Sequence, residues 1–180
     1  DFRRQLEVNL IAYVAVAQAL LPQIRRAEGR VVFVSSIGVF GTSSDACLSE
    51  RSAIAPAEPY AVSKWEAEQG LRRLERESGM AVVVVRPTLV YGPHAKGNFL
   101  RLMRLVASGV PLPFGAVANT RSFIGVANLC DLLEACVTHP QAAGQTFVAA
   151  DGEDISTSGL LTLISKAMGR PDRQFRVPVS

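Results

Sequence analysis

Two short runs decide the fold: Arg30-Val-Val-Phe-Val-Ser35 and Met80-Ala-Val-Val-Val-Val-Arg86. Each has a continuously apolar interior rich in β-branched residues, the pattern of strands covered on both faces in a parallel sheet. Between them lie a polar, Ser- and Pro-containing loop, residues 36–58, and a segment opening at Pro59 that predicts a helix to about Ser78. Strand, long loop, helix and strand make a parallel α/β unit.

Upstream, Leu10, Ile11, Val14, Ala17, Leu21 and Ile24 continue a helical spacing that begins at Phe2 and Leu6, and Arg25, Arg26 and Gly29 suit its C-terminal end. Downstream, the sequence predicts helices over about 97–108, 126–138 and 156–168. Extended pieces fall at 111–114, 121–125, 145–149 and 174–177, with no repeat and no evident linker.

The chain has 180 residues, 48% apolar and 19% charged, with 14 Gly and 10 Pro, which excludes disordered, collagenous and disulfide-framework classes. Its richest apolar stretch, Leu10 to Leu21, is broken by Gln18 and followed by Pro22, so no membrane helix, no signal peptide and no leader are expected, and the protein reads as soluble. Cys47, Cys130 and Cys136 form no CxxC pair, and His94 and His139 have no ligand-spaced partners. We expect free thiols in a reducing, cytoplasmic compartment and no metal. Sixteen Arg and three Lys against sixteen acids give a net charge of +3 without a cluster, hence no nucleic-acid patch, though single arginines suit an anionic small substrate.

The chemistry-bearing motif is Tyr60-Ala-Val-Ser-Lys64. Four residues apart on a helix, a phenol and an ammonium share one face, and the ammonium is expected to favour the phenolate and lower the phenol's pKa. Any helix with an exposed Tyr and Lys yields this spacing. The neighbouring strand, however, ends in Ser35-Ser36-Ile-Gly-Val-Phe-Gly41, at the carboxyl edge where open α/β sheets bind ligands.

The sequence Ser35-Ser36 to Gly41 followed by Pro59-Tyr60 to Lys64 resembles the extended short-chain dehydrogenase/reductase superfamily, specifically the NAD-dependent epimerase/dehydratase family and its UDP-glucose and UDP-N-acetylglucosamine 4-epimerases. The resemblance implies the C-terminal part of a Rossmann-type doubly wound parallel sheet plus a small α/β substrate lobe. Residues 1–93 would form the catalytic part of an incomplete NAD(P)-binding domain and 94–180 a nucleotide-sugar lobe, incomplete at its C-terminus. It also implies that the N-terminal cofactor-binding strands are missing, since no GxxGxxG follows a strand, and that this chain alone binds NAD poorly and is inactive.

By the same resemblance Tyr60, Lys64 and Ser36 are catalytic. Asn9, Ser35, Tyr60, Lys64, Pro87 and Thr88 would contact NAD, with NADP as the alternative. Ser36, Asn98, Phe99, Phe114 and Arg121 would contact a UDP-sugar. Phe114 could instead be core and Arg121 a surface ion-pair partner, and Trp65 is expected to pack. The run from Gly109 to Phe123 resembles bacterial enzymes of surface-polysaccharide sugar synthesis, both 4-epimerases and 4-ketoreductases. Dehydratases of this superfamily carry an Asp-Glu pair where this chain has Ile37 and Gly38, neither able to transfer a proton. The expected function is therefore a 4-epimerase, with a 4-ketoreductase or a non-catalytic binding module as rivals. A homodimer through the helices carrying Asn9 and Tyr60 is a further expectation, with core packing as the other use of those faces.

Overall fold

The computed structural model describes residues 4, 7–93 and 98–177, so Phe2, Leu6, His94 and Gly97 lie outside the described residues, as does the side chain of Asn98. The chain divides into two compact units, residues 1–88 with 127–149, and residues 89–126 with 150–180. This differs from a single break at 93/94, because the chain crosses back: after its first excursion it returns to add a helix and a strand to the first unit. A linear reading has no signal for such a return.

In the first unit a π-helical turn, Glu7–Ile11, leads into α1, Ala12–Arg26. Then come β1, Arg30–Val34, α2, Pro59–Ser78, and β2, Ala81–Pro87. The returning segment supplies most of α4, Val126–Thr138, and β5, Thr146–Ala149; α3, Asn98–Ser108, lies in the second unit. The sheet is parallel in the order β1-β2-β5, with Arg30 opposite Ala81 and Val84 opposite Thr146. Central β2 is the most covered strand, and Val82 to Val85 are wholly buried. Strand alternation sends Val82 and Val84 to one face, where with Phe33 they pack against Ala17, Ala67, Leu71, Leu74 and Met80. Pro59 at the first helical position opens α2, and Gly79, at φ 71°, closes it in the left-handed conformation that glycine adopts without strain. The loop after β1 is tied to the sheet by Glu50, whose carboxylate accepts the Val148 N–H at 2.8 Å. That bond holds the Glu50 pKa below the ordinary carboxylate range.

The helical stretch Glu7–Arg26 is, by length and composition alone, apolar enough to cross a membrane. Gln18 breaks the uninterrupted apolar run, but the helix as a whole remains apolar. Leu10, Val14, Leu21 and Ile24 pack on the core of the first unit, while Val8, Ile11, Val16 and Leu20 remain exposed.

The second unit contains β3, Leu89–Tyr91, parallel to β4, Arg121–Gly125, with β6, Asp154–Ile155, antiparallel on the other side of β4. Helices α3, Asn98–Ser108, and α5, Thr157–Ala167, enclose a small core of Val106, Leu112, Leu161 and Ile164. Ser156 caps α5 by accepting the Gly159 N–H at 2.9 Å.

Helices α1 and α2 meet at Gly70, where an added Cβ would lie 2.9 Å from Val14 Cγ2. Alanine normally gains about 1 kcal/mol over glycine inside a helix, but here the methyl must displace a β-branched neighbour. Gly70→Ala is therefore expected to lower Tm, and combining it with Val14→Ala should cost less than the sum of the two single changes. Strict additivity in thermal denaturation would contradict this packing.

Candidate functional site

The candidate site is built at the carboxyl end of β1 and the head of α2, all within the first unit. Lys64 is almost fully buried, and its Nζ donates to the Val34 carbonyl at 3.0 Å. The ammonium lies 4.9 Å from the ring centres of both Tyr13 and Phe33 and 5.9 Å from that of Tyr60. Tyr13 and Phe33 meet edge to face, their centres 5.4 Å apart. Three aromatic rings thus surround one cation, an arrangement favoured by the ring quadrupoles.

Tyr60 remains 43% exposed. Burial of its covered part, with Tyr13 beside it, pushes the phenol above its ordinary pKa, and burial pushes Lys64 below its own. The expectation that Lys64 lowers the phenol's pKa is corrected for the ligand-free protein. Its ammonium is directed to the Val34 carbonyl, and burial, with Tyr13 beside the ring, sets the direction of the Tyr60 shift.

Ser36 caps the short 3₁₀ turn Ile37–Phe40, its Oγ accepting the Gly38 N–H at 3.1 Å, which leaves its O–H free to donate. Gly38 approaches the first turn of α2 closely: a Cβ there would stand 3.4 Å from both Ala61 Cβ and Ser36 Oγ. Gly41, at φ 112°, closes the turn in a conformation that a side chain would strain. A cavity of about 200 Å³ beside this turn is bordered by Gly38, Gly41, Thr42, Glu58 and Ala61.

The other sequence candidates are placed as follows. Asn9 reaches α2, its Nδ2 3.4 Å from Ser63 Oγ, and Ser63 in turn donates to the Tyr60 carbonyl at 2.7 Å. Ser35 is buried and turned inward, its Oγ donating to Glu68 Oε1 at 2.5 Å, so its side chain is committed to the interior. Pro87 is buried at the end of β2, and Thr88 directs both its N–H and its hydroxyl to the Ala149 carbonyl, each at 3.0 Å. In the second unit Phe99 and Phe114 pack against the core of that unit, and Arg121 is exposed at the start of β4. Among the described residues no cluster of three His, Cys, Asp or Glu could hold a metal.

Sequence reasoning missed Tyr13, Glu68 and Arg86. Glu68 could have been found four residues beyond Lys64, on the same helical face. Arg86, a cation closing an otherwise apolar strand, was visible as an anomaly that demanded a buried partner.

The head of α2 thus carries an exposed Tyr60 and a buried Lys64 four residues apart, and Ser36 follows the carboxyl end of β1. The chain belongs to the NAD dependent epimerase/dehydratase family, whose model matches residues 3–150. It is 42% identical over 177 residues to a UDP-glucose 4-epimerase of Vibrio cholerae, covering 96% of this chain and 53% of that protein. It is 27% identical over 175 residues to the GDP-6-deoxy-D-mannose reductase of Pseudomonas aeruginosa, covering 92% and 57%. The fold matches a Bacillus cereus UDP-glucuronic acid 4-epimerase solved with NAD at a TM-score of 0.81 and 21% identity, covering 98% of this chain and 57% of that one. The chain spans about half the length of the curated relatives it matches.

Titration of the ligand-free protein followed by tyrosinate absorbance is expected to show Tyr60 ionising above the ordinary tyrosine range, as the component lost in Tyr60→Phe. A Tyr60 midpoint below that range would contradict the dominance of desolvation.

Proposed function

We propose that this chain carries the catalytic residues of an NAD-dependent nucleotide-sugar 4-epimerase acting on a UDP-hexose through a 4-keto intermediate. The supporting observation is the Tyr60–Lys64 pair at the head of α2, with Lys64 Nζ anchored on the Val34 carbonyl at 3.0 Å, two residues before Ser36. Family membership and the 42% identity to a UDP-glucose 4-epimerase favour the C4 reaction over other chemistries of the same site.

The donor set fits a nicotinamide riboside. An ammonium has three protons, and Lys64 gives one to Val34, leaving two for ribose hydroxyls. Tyr60, whose ring centre is 5.9 Å from the Lys64 ammonium, is the candidate to share that ribose, and Asn9 and the Pro87-Thr88 backbone are the further candidates to border the ring. Ser35 and the Thr88 hydroxyl are already engaged and contribute nothing through their side chains. NAD, when bound, supplies the acceptor and donor of hydride at C4.

The chain's own residues supply the rest. Tyr60, as phenolate, takes the proton of the 4-hydroxyl and, as phenol, returns it after the keto sugar has turned. Ser36, its Oγ held by the Gly38 N–H, donates a hydrogen bond to the reacting oxygen in both directions. Burial raises the Tyr60 pKa, so the phenolate needs a positive neighbour, and Lys64, four residues on along α2, is the residue to keep Tyr60 ionised. In the second unit Arg121 is the candidate for the diphosphate, since a guanidinium forks onto phosphate oxygens; Asn98 is a further candidate. Phe99 and Phe114, packed on their core, can offer a nucleotide only a ring face or edge.

A 4-ketoreductase using the same three residues is the second reading, favoured by the 27% identity to the Pseudomonas reductase. Incubating the whole protein with NAD and UDP-glucose decides between them: the epimerase reading expects UDP-galactose without consumption of reduced cofactor. Tyr60→Phe should retain UDP-sugar binding and lose about 100-fold or more in kcat. Near-normal kcat in that variant would place the base elsewhere, and sugar-nucleotide binding without turnover in the wild type would leave only a binding module.

A further inference from the structure

Behind the candidate site lies a fully buried polar cluster that the proposed reaction does not use. Glu68 Oε2 accepts from Arg86 Nη2 at 2.6 Å and Oε1 from Arg86 Nε at 3.1 Å, a two-pronged pair. The same Oε1 accepts from Ser35 Oγ at 2.5 Å. Ser35, Glu68 and Arg86 are 3%, 2% and 5% exposed. The Arg86 guanidinium is 4.9 Å from the Phe40 ring centre and 5.8 Å from that of Trp65.

This cluster touches each part of the candidate site from behind. Ser35 stands between Val34, whose carbonyl anchors Lys64, and Ser36. Glu68 is one helical turn beyond Lys64 on α2. Phe40, against which Arg86 lies, ends the turn that Ser36 caps. One carboxylate therefore ties the ends of two strands to the helix, with the donor and base groups fixed on either side of the knot. A role in stability alone does not call for charge here, since buried ion pairs can often be replaced by apolar side chains of similar volume without loss. What apolar packing cannot supply is the directional hold on the Ser35 hydroxyl.

We propose that Ser35, Glu68 and Arg86 are positioning residues that set the alignment of Ser36, Tyr60 and Lys64, an inference that rests on the 4-epimerase reading. The Ser35 hydroxyl is the sensitive link, because removing it leaves the Glu68–Arg86 pair intact.

The test is Ser35→Ala in the whole protein, with Ser35→Thr as the variant that restores a hydroxyl. Ser35→Ala is expected to keep Tm and the UDP-sugar KM close to wild type while lowering kcat about tenfold or more, and Ser35→Thr to recover most of it. Ser35→Ala should also move the Tyr60 ionisation seen by tyrosinate absorbance in the ligand-free protein, since the strand end that anchors Lys64 is released. Unchanged kcat with an unchanged Tyr60 titration overturns the proposal. So does a fall of kcat matched by a fall of Tm and a rise of KM, which is the mark of a merely structural link. If the wild-type protein shows no epimerisation, the functional reading fails by itself. The Tyr60 titration then decides the positioning role: a shift upholds it and no shift overturns it.

Discussion

A carboxylate and a guanidinium that lose almost all contact with water must be joined to each other, and in this protein Glu68 and Arg86 meet that constraint inside the first unit. Removing one partner of such a pair typically costs about 3–5 kcal/mol, because the other charge is left buried and alone. The consequence reaches beyond stability. Arg86 closes β2 and Glu68 sits on α2, so the pair fixes where the helix lies along the strand and therefore where Tyr60 and Lys64 stand. Ser35 adds the end of β1 to the same knot.

The electrostatics around this knot are layered. Directly behind the site is a satisfied ion pair, and then a lysine whose charge is met by one carbonyl and three ring faces and not by a carboxylate. At the surface is a phenol whose pKa is raised by its partial burial. Among the described residues no carboxylate meets that ammonium, which leaves it available to a ligand and suits a site completed by what binds to it.

Much of this was legible in the sequence, for reasons that can be named. The runs at 30–35 and 80–86 could only be covered parallel strands, and Pro59 with Gly79 bracketed the helix between them. The Tyr60 and Lys64 spacing gave a shared face. The inward turn of Ser35 was hidden, because two adjacent serines at a strand end alternate sides and only the buried Glu68 shows which is which. The direction of the Tyr60 shift was hidden as well, since desolvation depends on neighbours such as Tyr13 that are distant in the chain. The return of residues 127–149 to the first sheet was invisible for the same reason: β5 pairs with β2 across some sixty residues. The apolar α1 shows a further limit, because one face packs on the core and the other does not, and composition cannot tell the two apart.

The central claim is that Tyr60, Lys64 and Ser36 serve an internally balanced exchange at C4 of a nucleotide sugar. The most direct measurement follows UDP-glucose carrying deuterium at C4, incubated with the whole protein and NAD alone. The account predicts UDP-galactose that keeps the label at C4, because what leaves that carbon returns to it. Label lost to solvent, or a product formed only when reduced cofactor is added, would contradict it.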